Sequence, residues 1–422
     1  MIRKFKSTLE KLKKSKDGKT VASNFGYLML LQISGYVFPL LTIPYLARVI
    51  GVDGFGKIAF AAAVITWLRT VCDWGFNYTA TRDVARSKDD IQKVSEIFSN
   101  ILWARFFLGI FCFVILYLGI VFIPYFNANK EILLISFLLV PGNILFPEWF
   151  FQAMEKMKFI TIFNLISKAV FTLLVFVFIK EKSDYILQPL FTSLGFILSG
   201  LCAMYIILVK WKIKLQPPNI HDIKETIKSS SDIFINNLMP NLYNSFSTVL
   251  LGFFGGSVAN GLLDAGRKFV DISQQLLNVI SRVFFPLLSR KINSHNLYAR
   301  INFSLSVVSF VLLFTLAPLI IDLFYTSEFS EAILVLQIMA ASIVFSALIQ
   351  IYGTNFMIIK GYEKELRNIT VICSLIGLVC GFPLIYYFSF VGAALTVTST
   401  RAILGLSIMY KSKKINMLES IE

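Results

Sequence analysis

Four charged residues stand close together in a stretch that is otherwise apolar enough to cross a membrane, Val258 to Arg290. In chain order they are Asp264, Arg267, Lys268 and Asp271. Their spacing of three and four residues would place them on neighbouring positions of one face of a helix, as a charge ladder. Such a face is unfavourable in lipid, so the pattern predicts a hydrated interior site.

The two basic residues of the charge ladder are expected near the middle of the bilayer. If the helix begins just after Gly255-Gly256-Ser257, a rise of about 1.5 Å per residue places them about 14–15 Å deep in a hydrocarbon layer of about 30 Å. A cation at the centre of a spanning helix costs roughly 2.5–3.5 kcal/mol, so it needs a partner, water or a ligand. We expect a ligand site. The alternative is an internal clamp in which Asp264 and Asp271 only neutralise Arg267 and Lys268.

Further charges lie deep inside other apolar segments. These are Arg69, Lys168, Arg401 and Glu148. With the ladder, five cations face three acids, and a diphosphate would balance them, because guanidinium binds phosphate oxygens bidentately and lysine supplies a point charge. Two alternatives stay open: Lys168 pairs with Glu148, or Glu148 accepts a coupling proton. Arg105 and Arg282 lie nearer the predicted interface and are expected to snorkel.

The composition is that of an integral membrane protein. Of the 422 residues, 56% are hydrophobic and only 15% are charged, with a mean hydropathy of +0.71. A soluble protein has about 45–50% apolar and about 25% charged residues. The formal charge of +15 resides mainly in loops between apolar segments, which favours lipid head groups rather than nucleic acid as partners.

Metal and histidine chemistry find little support in the sequence. The five cysteines show no metal-ligand spacing, and the only histidines, His221 and His295, fall in polar segments between apolar ones. We therefore expect no metal, no cofactor and no enzymatic activity.

Apolar runs predict an all-α integral membrane fold of about twelve transmembrane helices, each near the 20-residue length that a bilayer needs. Lys and Arg concentrate in alternate loops, which predicts that both termini are cytoplasmic. The predicted spans are 21–47, 55–75, 97–123, 132–152, 159–179, 187–209, 232–254, 258–281, 302–324, 332–358, 367–388 and 390–410.

The spans divide into two six-helix bundles around a central cavity. The N-terminal bundle covers 21–210 and the C-terminal bundle 232–410, joined by a cytoplasmic connector, 211–231, in which Pro217-Pro218 forbids a continuous helix. A basic segment, 1–20, precedes them and is expected to lie on anionic lipid, and a cytoplasmic tail, 411–422, follows.

Short repeated motifs support two related halves. MEKMKFIT (154–161) has a counterpart in YEKELRNIT (362–370), and LARVIGVDGFGKIAF (46–60) has one in LLGFFGGSVANGLL (250–263). Parallel repeats in a transporter are related by an axis along the membrane normal, with the substrate site between them near the midplane.

Three runs also carry a resemblance to a known family. They are PYLARVIGVDGFGKIAFAAAVITWL (44–68), DWGFNYTATRDVARSKDD (73–90) and PEWFFQAMEKMKFITIFNLISKAVFTLLVF (147–176). The sequence resembles the polysaccharide transporter family, specifically the bacterial O-antigen flippases.

The resemblance implies an inner-membrane protein of the multidrug/oligosaccharidyl-lipid/polysaccharide exporter superfamily. The implied activity is to move an undecaprenyl-diphosphate-linked oligosaccharide from the cytoplasmic to the periplasmic leaflet by alternating access, with other O-antigen assembly proteins as further partners. In the related lipid II flippases, arginines of the amino-terminal half and of the eighth helix engage the diphosphate. Arg267 matches the eighth-helix position, and Arg69 and Arg48 are the candidates from the amino-terminal half.

Two alternatives remain. A multidrug/cation antiporter of the same superfamily requires a cavity of net negative charge, whereas the interior charges here sum to positive. A multi-span O-antigen polymerase or ligase requires catalytic groups on a large periplasmic loop, and the predicted periplasmic loops are short and lack histidine.

Overall fold

The structure is a computed structural model that describes residues 16–290 and 295–419. Residues 1–15 of the predicted basic segment lie outside the described residues, as do 420–422 of the tail. The described part of the chain is helical throughout, with turns and no strand. The predicted all-α fold is therefore confirmed.

The helices of the first part of the chain begin with one that is far longer than a single span. We number them α1 Lys16–Asp73, α2 Phe76–Arg86, α3 Ile91–Phe122, α4 Pro124–Ala128, α5 Lys130–Phe137, α6 Leu139–Leu145, α7 Glu148–Ala153, α8 Met157–Phe178, α9 Leu187–Tyr205 and α10 Ile220–Leu238. A short 3₁₀ turn, Lys182–Ile186, precedes α9, and a π-helical turn, Ile206–Lys210, follows it.

The second part of the chain has two further long helices. Its helices are α11 Ser245–Arg290, α12 His295–Thr315, α13 Ala317–Phe324, α14 Ala332–Leu348 and α15 Glu363–Glu419. A 3₁₀ turn at Met239–Leu242 precedes α11, another at Ser327–Phe329 precedes α14, and a π-helix, Ile349–Met357, extends α14.

Nine stretches of the described residues are long and apolar enough to cross a membrane, so the chain is a multi-pass membrane protein. Three of them are more than twice as long as a span of about 20 residues. They are Met29–Arg86, Ile220–Phe285 and Glu363–Ile415. Each contains most or all of two predicted spans, and between those two spans one residue has non-helical backbone angles: Gly51, Gly256 and Ser389 respectively. The predicted count of twelve stays a prediction.

The described residues pack as two compact units. The first holds the described residues up to Thr42 with Leu68–Lys180 and Ile186–Phe234. The second holds Ile43–Trp67, Glu181–Tyr185 and the described residues from Ile235 onward. The bundle boundaries predicted from the sequence remain a prediction.

An aromatic core stabilises the first unit. Phe150 is fully buried, and its ring centroid lies 4.9 Å from that of Phe98 and 6.0 Å from that of Trp211. Trp149 is also buried, with 2% of its surface exposed, and packs on Phe150. Burial of such large rings accounts for the tight packing of α7 between α2 and α8.

Arg105 of α3 belongs to this interior, which corrects the expectation that it snorkels. Only 2% of its side chain is exposed, and its Nη2 donates to Asp73 Oδ1 at 2.7 Å and to Asn77 Oδ1 at 2.9 Å. The pair fixes the turn from α1 into α2. Arg282 is exposed, as expected of a residue that reaches toward an interface.

The second unit is built around α11, α14 and α15, which pack on one another. Polar side chains are buried in this unit, and several of them bond to one another. The hydroxyl of Tyr298, a fully buried residue, accepts from Asn302 at 2.8 Å and from Asn355 at 2.7 Å. Asn355 also donates to Ser281 of α11 at 2.6 Å, and Gln350 donates to Asn278 at 2.7 Å. In a membrane such interhelical bonds hold helices together.

Candidate functional site

The charge ladder lies on α11 in the helical stretch that follows the break at Gly256, where the glycine adopts φ +74°. It resolves into two pairs, each four residues apart. Lys268 donates to the carboxylate of Asp264, and Arg267 Nε donates to Asp271 Oδ2 at 3.3 Å. The acids therefore do partner the bases, as the clamp alternative states, but the two bases are not equivalent.

Arg267 lines a cavity of about 170 Å³ inside the second unit. Asp264 and Asp271 line it too, with Thr66, Ser245 and Thr248 as neutral polar groups. Its remaining lining is small and apolar: Ala59, Ala62, Ala63 and Leu263. Since 22% of the Arg267 side chain and 49% of that of Asp271 are exposed, the pair is accessible and not sealed among apolar side chains.

Lys268 faces different surroundings. Its ammonium lies 5.8 Å from the centroid of the Phe55 ring, which is cation–π distance, and it is not part of the cavity lining. With its pair to Asp264, this gives Lys268 two favourable contacts that Arg267 does not share. The geometry makes Arg267 the ladder cation best placed to meet a ligand.

Arg401 of α15 adjoins this site through Asn244. The residue is 7% exposed, and its guanidinium donates to Asn244 Oδ1 and to Ser342 Oγ, both at 3.0 Å. The backbone oxygen of Asn244 also accepts from Arg267 Nη1 at 3.5 Å. Arg401 therefore positions the residue against which Arg267 rests.

The predicted interior charges of the first unit form a separate cluster. Glu148 Oε1 accepts from Asn164 Nδ2 at 3.1 Å, and the carboxylate lies within electrostatic reach of Arg69 and Lys168. With its amide oxygen oriented toward the guanidinium, Asn143 accepts from Arg69 Nε at 3.1 Å. In the described part of the chain Lys168 makes no ion pair with Glu148, so their interaction is electrostatic at longer range.

Arg48 stands apart from the ladder within the second unit. It is exposed and lies in the helical turn before Gly51. The structure thus brings Arg267, Lys268 and Arg401 together around two acids in one unit, and Arg69 and Lys168 around Glu148 in the other. Within the described residues no group of His, Cys, Asp or Glu is arranged to hold a metal ion.

Several polar residues in or next to the cavity escaped the sequence analysis because they are neutral. Asn244, Ser245 and Thr248 form a short polar run, N-S-F-S-T, within an apolar segment, and Thr66 stands alone among alanines. A search for hydroxyl and amide side chains inside the predicted spans, and not only for charges, would have found them.

Comparison with known proteins identifies the family. The family model described as "Polysaccharide biosynthesis protein" matches residues 21–292. Since that match covers well over half of the sequence, the chain belongs to this family of membrane proteins, and the resemblance noted in the sequence is confirmed.

Two relatives are similar over nearly their whole length. A protein of Escherichia coli (strain K12) named as an O-antigen transporter is 28% identical over 396 residues, which cover 92% of this chain and 95% of that protein. A protein of Shigella dysenteriae with the same name is 26% identical over 395 residues, covering 92% and 98%.

Solved structures share the fold at lower identity. The lipid II flippase MurJ in an inward closed conformation superposes with a TM-score of 0.74 at 16% identity, covering 93% of this chain and 87% of that one. An outward-facing multidrug resistance MATE transporter of the MOP superfamily gives 0.59 at 13% identity, covering 96% and 97%. The chain therefore shares the fold of these two proteins.

Proposed function

We propose that the protein is a flippase for lipid-linked oligosaccharides, which moves undecaprenyl-diphosphate-linked O-antigen units from the cytoplasmic to the periplasmic leaflet of the inner membrane by alternating access. Both termini are cytoplasmic in this proposal, in accord with the distribution of Lys and Arg. The names of the two relatives and the exporter fold support it.

The observation that carries the proposal is the exposure of Arg267 inside a bilayer-spanning helix. A cation at this depth is tolerated only with a partner, water or a ligand. Asp271 is a partner at 3.3 Å, yet it is half exposed, and the cavity beside it holds three hydroxyl groups. Arg267 donates to Asp271 and to Asn244 at the long distances of 3.3 and 3.5 Å. A diphosphate that enters this cavity can replace these two acceptors with shorter, charge-assisted hydrogen bonds.

The charge around the cavity favours an anionic passenger over a cationic one. Arg267, Lys268 and Arg401 face only Asp264 and Asp271, so the cluster carries a net positive charge. An antiporter for organic cations would need the opposite balance. The cluster of Arg69, Lys168 and Glu148 also has an excess of cations, and we propose Arg69, Lys168, Arg48 and Arg401 as further contributors to diphosphate binding.

In this mechanism the charges act by binding and release, without chemical change in the passenger. Arg267 and Lys268 attract the diphosphate, and their own acids, Asp264 and Asp271, compete with it. Competition of this kind keeps binding weak enough for release, which transport requires. Glu148 remains a candidate for ion coupling, since its carboxylate is held by Asn164 between two cations.

The test uses purified protein in proteoliposomes. The probe is the undecaprenyl-diphosphate-linked oligosaccharide fraction extracted from cells depleted of the protein, loaded into the vesicles and detected by a sugar-modifying reagent that does not cross the membrane. Wild-type protein should make the inner pool accessible, Arg267→Ala should lower the rate at least tenfold, and Arg267→Lys should retain part of it. Tenfold corresponds to about 1.4 kcal/mol, well within the range of a charge-assisted bond.

The matched control is Arg282→Ala, which removes an exposed arginine from the same helix away from the cavity. It should leave the rate unchanged. Full activity of Arg267→Ala would remove the central residue of the proposal. Uptake of ethidium by the wild type, with no effect on the oligosaccharide probe, would favour the cation antiporter.

A further inference from the structure

Two glycine-bounded segments, one from each repeat, contact each other inside the second unit. They are GVDGFG, Gly51–Gly56, and GSVANG, Gly256–Gly261. Their first glycines share an unusual backbone, with φ +65° and ψ −177° at Gly51 and φ +74° and ψ −168° at Gly256. Both breaks therefore start a helix in the same way, in equivalent places of the two repeats.

The contact between these segments is reciprocal. A Cβ on Gly56 would lie 1.6 Å from the carbonyl oxygen of Ser257, and a Cβ on Gly261 would lie 2.2 Å from that of Val52. Gly261 is the counterpart of Gly56, and Ser257 is the counterpart of Val52. We call this pair of contacts the glycine crossing. Only glycine permits backbones to approach so closely.

Two cavities are lined by residues next to the glycine crossing. The cavity of Arg267 is lined by residues that follow the crossing in both helices, such as Ala59 and Asp264, and by Ser245 and Thr248, which precede it in α11. A second cavity, of about 350 Å³, which we call the outer cavity, is lined by residues around Gly51 with Lys182, Tyr185 and Glu328. Both cavities therefore border the segments that form the crossing.

Polar contacts close the crossing at its outer edge. The Ser257 hydroxyl donates to the carboxylate of Asp53, which also pairs with Lys57 at 2.8 Å. Glu328 Oε2 accepts from the backbone N–H of Val52 at 3.2 Å. These groups are partly exposed, and ion pairs in such positions contribute little to stability. The contacts at this edge can therefore break at low cost.

The segment GSVANG of the crossing carries a side-chain amide without a hydrogen-bond partner. Asn260 is fully buried, with 0% of its surface exposed, and neither Nδ2 nor Oδ1 has a hydrogen-bond partner. It packs near Gly252, where a Cβ would lie 3.1 Å from Nδ2, and it stands one helical turn before Asp264. Buried polar side chains are almost always paired, and each exception calls for an explanation.

We propose that Asn260 contacts the glycan of the passenger when the glycine crossing opens, as a step between the Arg267 cavity and the outer cavity. This inference rests on the proposed function and assigns the residue that contacts the sugar. An amide has two N–H donors and one acceptor oxygen, and both kinds of group are unpaired here. A phosphate would satisfy only the donors and a cation only the acceptor. Hydroxyl groups both donate and accept, so a carbohydrate matches Asn260 in full.

The test separates this role from a structural one by measuring stability and transport together. Asn260→Leu replaces the unpaired amide by an apolar side chain of similar size. It should raise the thermal unfolding midpoint of the detergent-purified protein, because an unpaired buried polar group is removed. It should lower translocation of the lipid-linked oligosaccharide probe about tenfold, the effect of about one lost hydrogen bond. Asn260→Ser, which keeps a donor and an acceptor, should retain more transport than Asn260→Leu.

The matched control is Ser374→Ala on α15. Ser374 is also fully buried, and its hydroxyl also lacks a partner, but it lies outside the crossing. This variant should not lose stability and should transport like the wild type.

The outcomes are distinguishable. If wild type moves the probe and Asn260→Leu moves it equally fast, the role of Asn260 is wrong and the proposed function stands. A lower unfolding midpoint of Asn260→Leu would show that the amide is structural, which also overturns the inference. Should the wild type itself fail to move the probe, the proposed function and this inference are both refuted.

Discussion

Gly56 lies so close to Ser257 that the carbonyl oxygen of Ser257 is 1.6 Å from the place where any other residue would carry its Cβ. The helices therefore meet backbone to backbone, without side chains between them. Contacts between small residues of this kind are a common way to pack helices in membranes, where apolar side chains gain nothing by leaving lipid. A methyl group at Gly56 would therefore force the two backbones apart.

Replacement of Gly56 by alanine should disrupt this contact. Insertion of a methyl group into a packed site costs about 1–3 kcal/mol, and here it meets backbone, which cannot rotate away. We expect a lower thermal unfolding midpoint of the purified protein and a lower yield of folded protein. Gly26→Ala is the matched control, because nothing lies within 4 Å of a Cβ at Gly26 in the same helix. Equal midpoints for the two variants would contradict the close approach at Gly56.

Arg105 should be essential for stability, although it lies far from the charge ladder in sequence. Arg105→Ala leaves Asp73 without its cation, and removal of one partner of a buried ion pair costs about 3–5 kcal/mol. The lower part of that range applies, because 24% of the Asp73 side chain is exposed. The unfolding midpoint of the purified protein measures the loss.

Two comparisons give this prediction its control. Asp73→Asn retains an acceptor for Arg105 and should be milder than Arg105→Ala. Arg282→Ala, at an exposed position, should change stability by no more than about 0.5 kcal/mol. An Arg105→Ala protein as stable as Arg282→Ala would show that Arg105 reaches the interface after all.

The length of the apolar segments and the position of the charges predicted much of the structure, because both are governed by the cost of polar groups in lipid. The all-helical fold, the broken long helices near residues 51 and 256, and an accessible Arg267 between two acids could all be expected from that cost. The prediction that Arg105 snorkels was wrong, because it used only the distance of this residue from the predicted interface. A basic residue near the end of a span can turn inward when an acid such as Asp73 lies there.

Other features depend on tertiary contacts that a linear pattern does not contain. Arg267 and Lys268 are neighbours of the same charge, and only the packing of Phe55 and Asn244 gives them different surroundings. Glycines in a membrane span are common, so nothing in the sequence distinguished Gly56 as a point of backbone contact. The unpaired amide of Asn260 is visible only once the neighbours of its side chain are known.

Arg401 should not tolerate lysine, although lysine keeps the charge. The guanidinium donates to Ser342 and to Asn244 from two different nitrogens, both at 3.0 Å, and a single ammonium does not reproduce that fork. Arg401→Lys should therefore leave a buried acceptor unpaired, at a cost of about 1–3 kcal/mol in stability, and loosen Asn244 beside Arg267. Both the unfolding midpoint and the rate of oligosaccharide translocation should fall. Arg267→Lys, at the accessible position, should reduce transport with little change in the midpoint. A lower midpoint for Arg267→Lys together with an unchanged midpoint for Arg401→Lys would refute the assignment of a positioning role to Arg401 and a binding role to Arg267.

One turn has the same backbone geometry in both halves of the chain, and substitutions at that turn can test the geometry. In the first half, Glu155 has φ +56°, and the N–H of Lys156 donates to the carbonyl of Phe151 at 2.8 Å. In the second half, Gly361 has φ +83°, and the N–H of Tyr362 donates to Met357 at 2.8 Å. The first turn lies in MEKMKFIT and the second ends at the first residue of YEKELRNIT. The turn geometry pairs Glu155 with Gly361, two residues away from the Glu363 that the sequence motifs set against it. Both turns close a helix through a left-handed residue.

Glycine should therefore be better than alanine at both positions. For a residue with a Cβ the left-handed region costs roughly 1–2 kcal/mol, of which about 0.4–1 kcal/mol is offset by the lower entropy of its unfolded chain. Gly361→Ala should lower the unfolding midpoint, and the cause is the backbone alone because nothing lies within 4 Å of a Cβ there.

At the other turn, Glu155→Gly should be more stable than Glu155→Ala by a similar amount, since both variants lose the same ion pair with Lys88 at 3.0 Å. Gly26→Ala, within a helix, should shift the midpoint in the opposite direction or not at all. A preference for alanine at either turn would show that the turn is not held in the left-handed conformation.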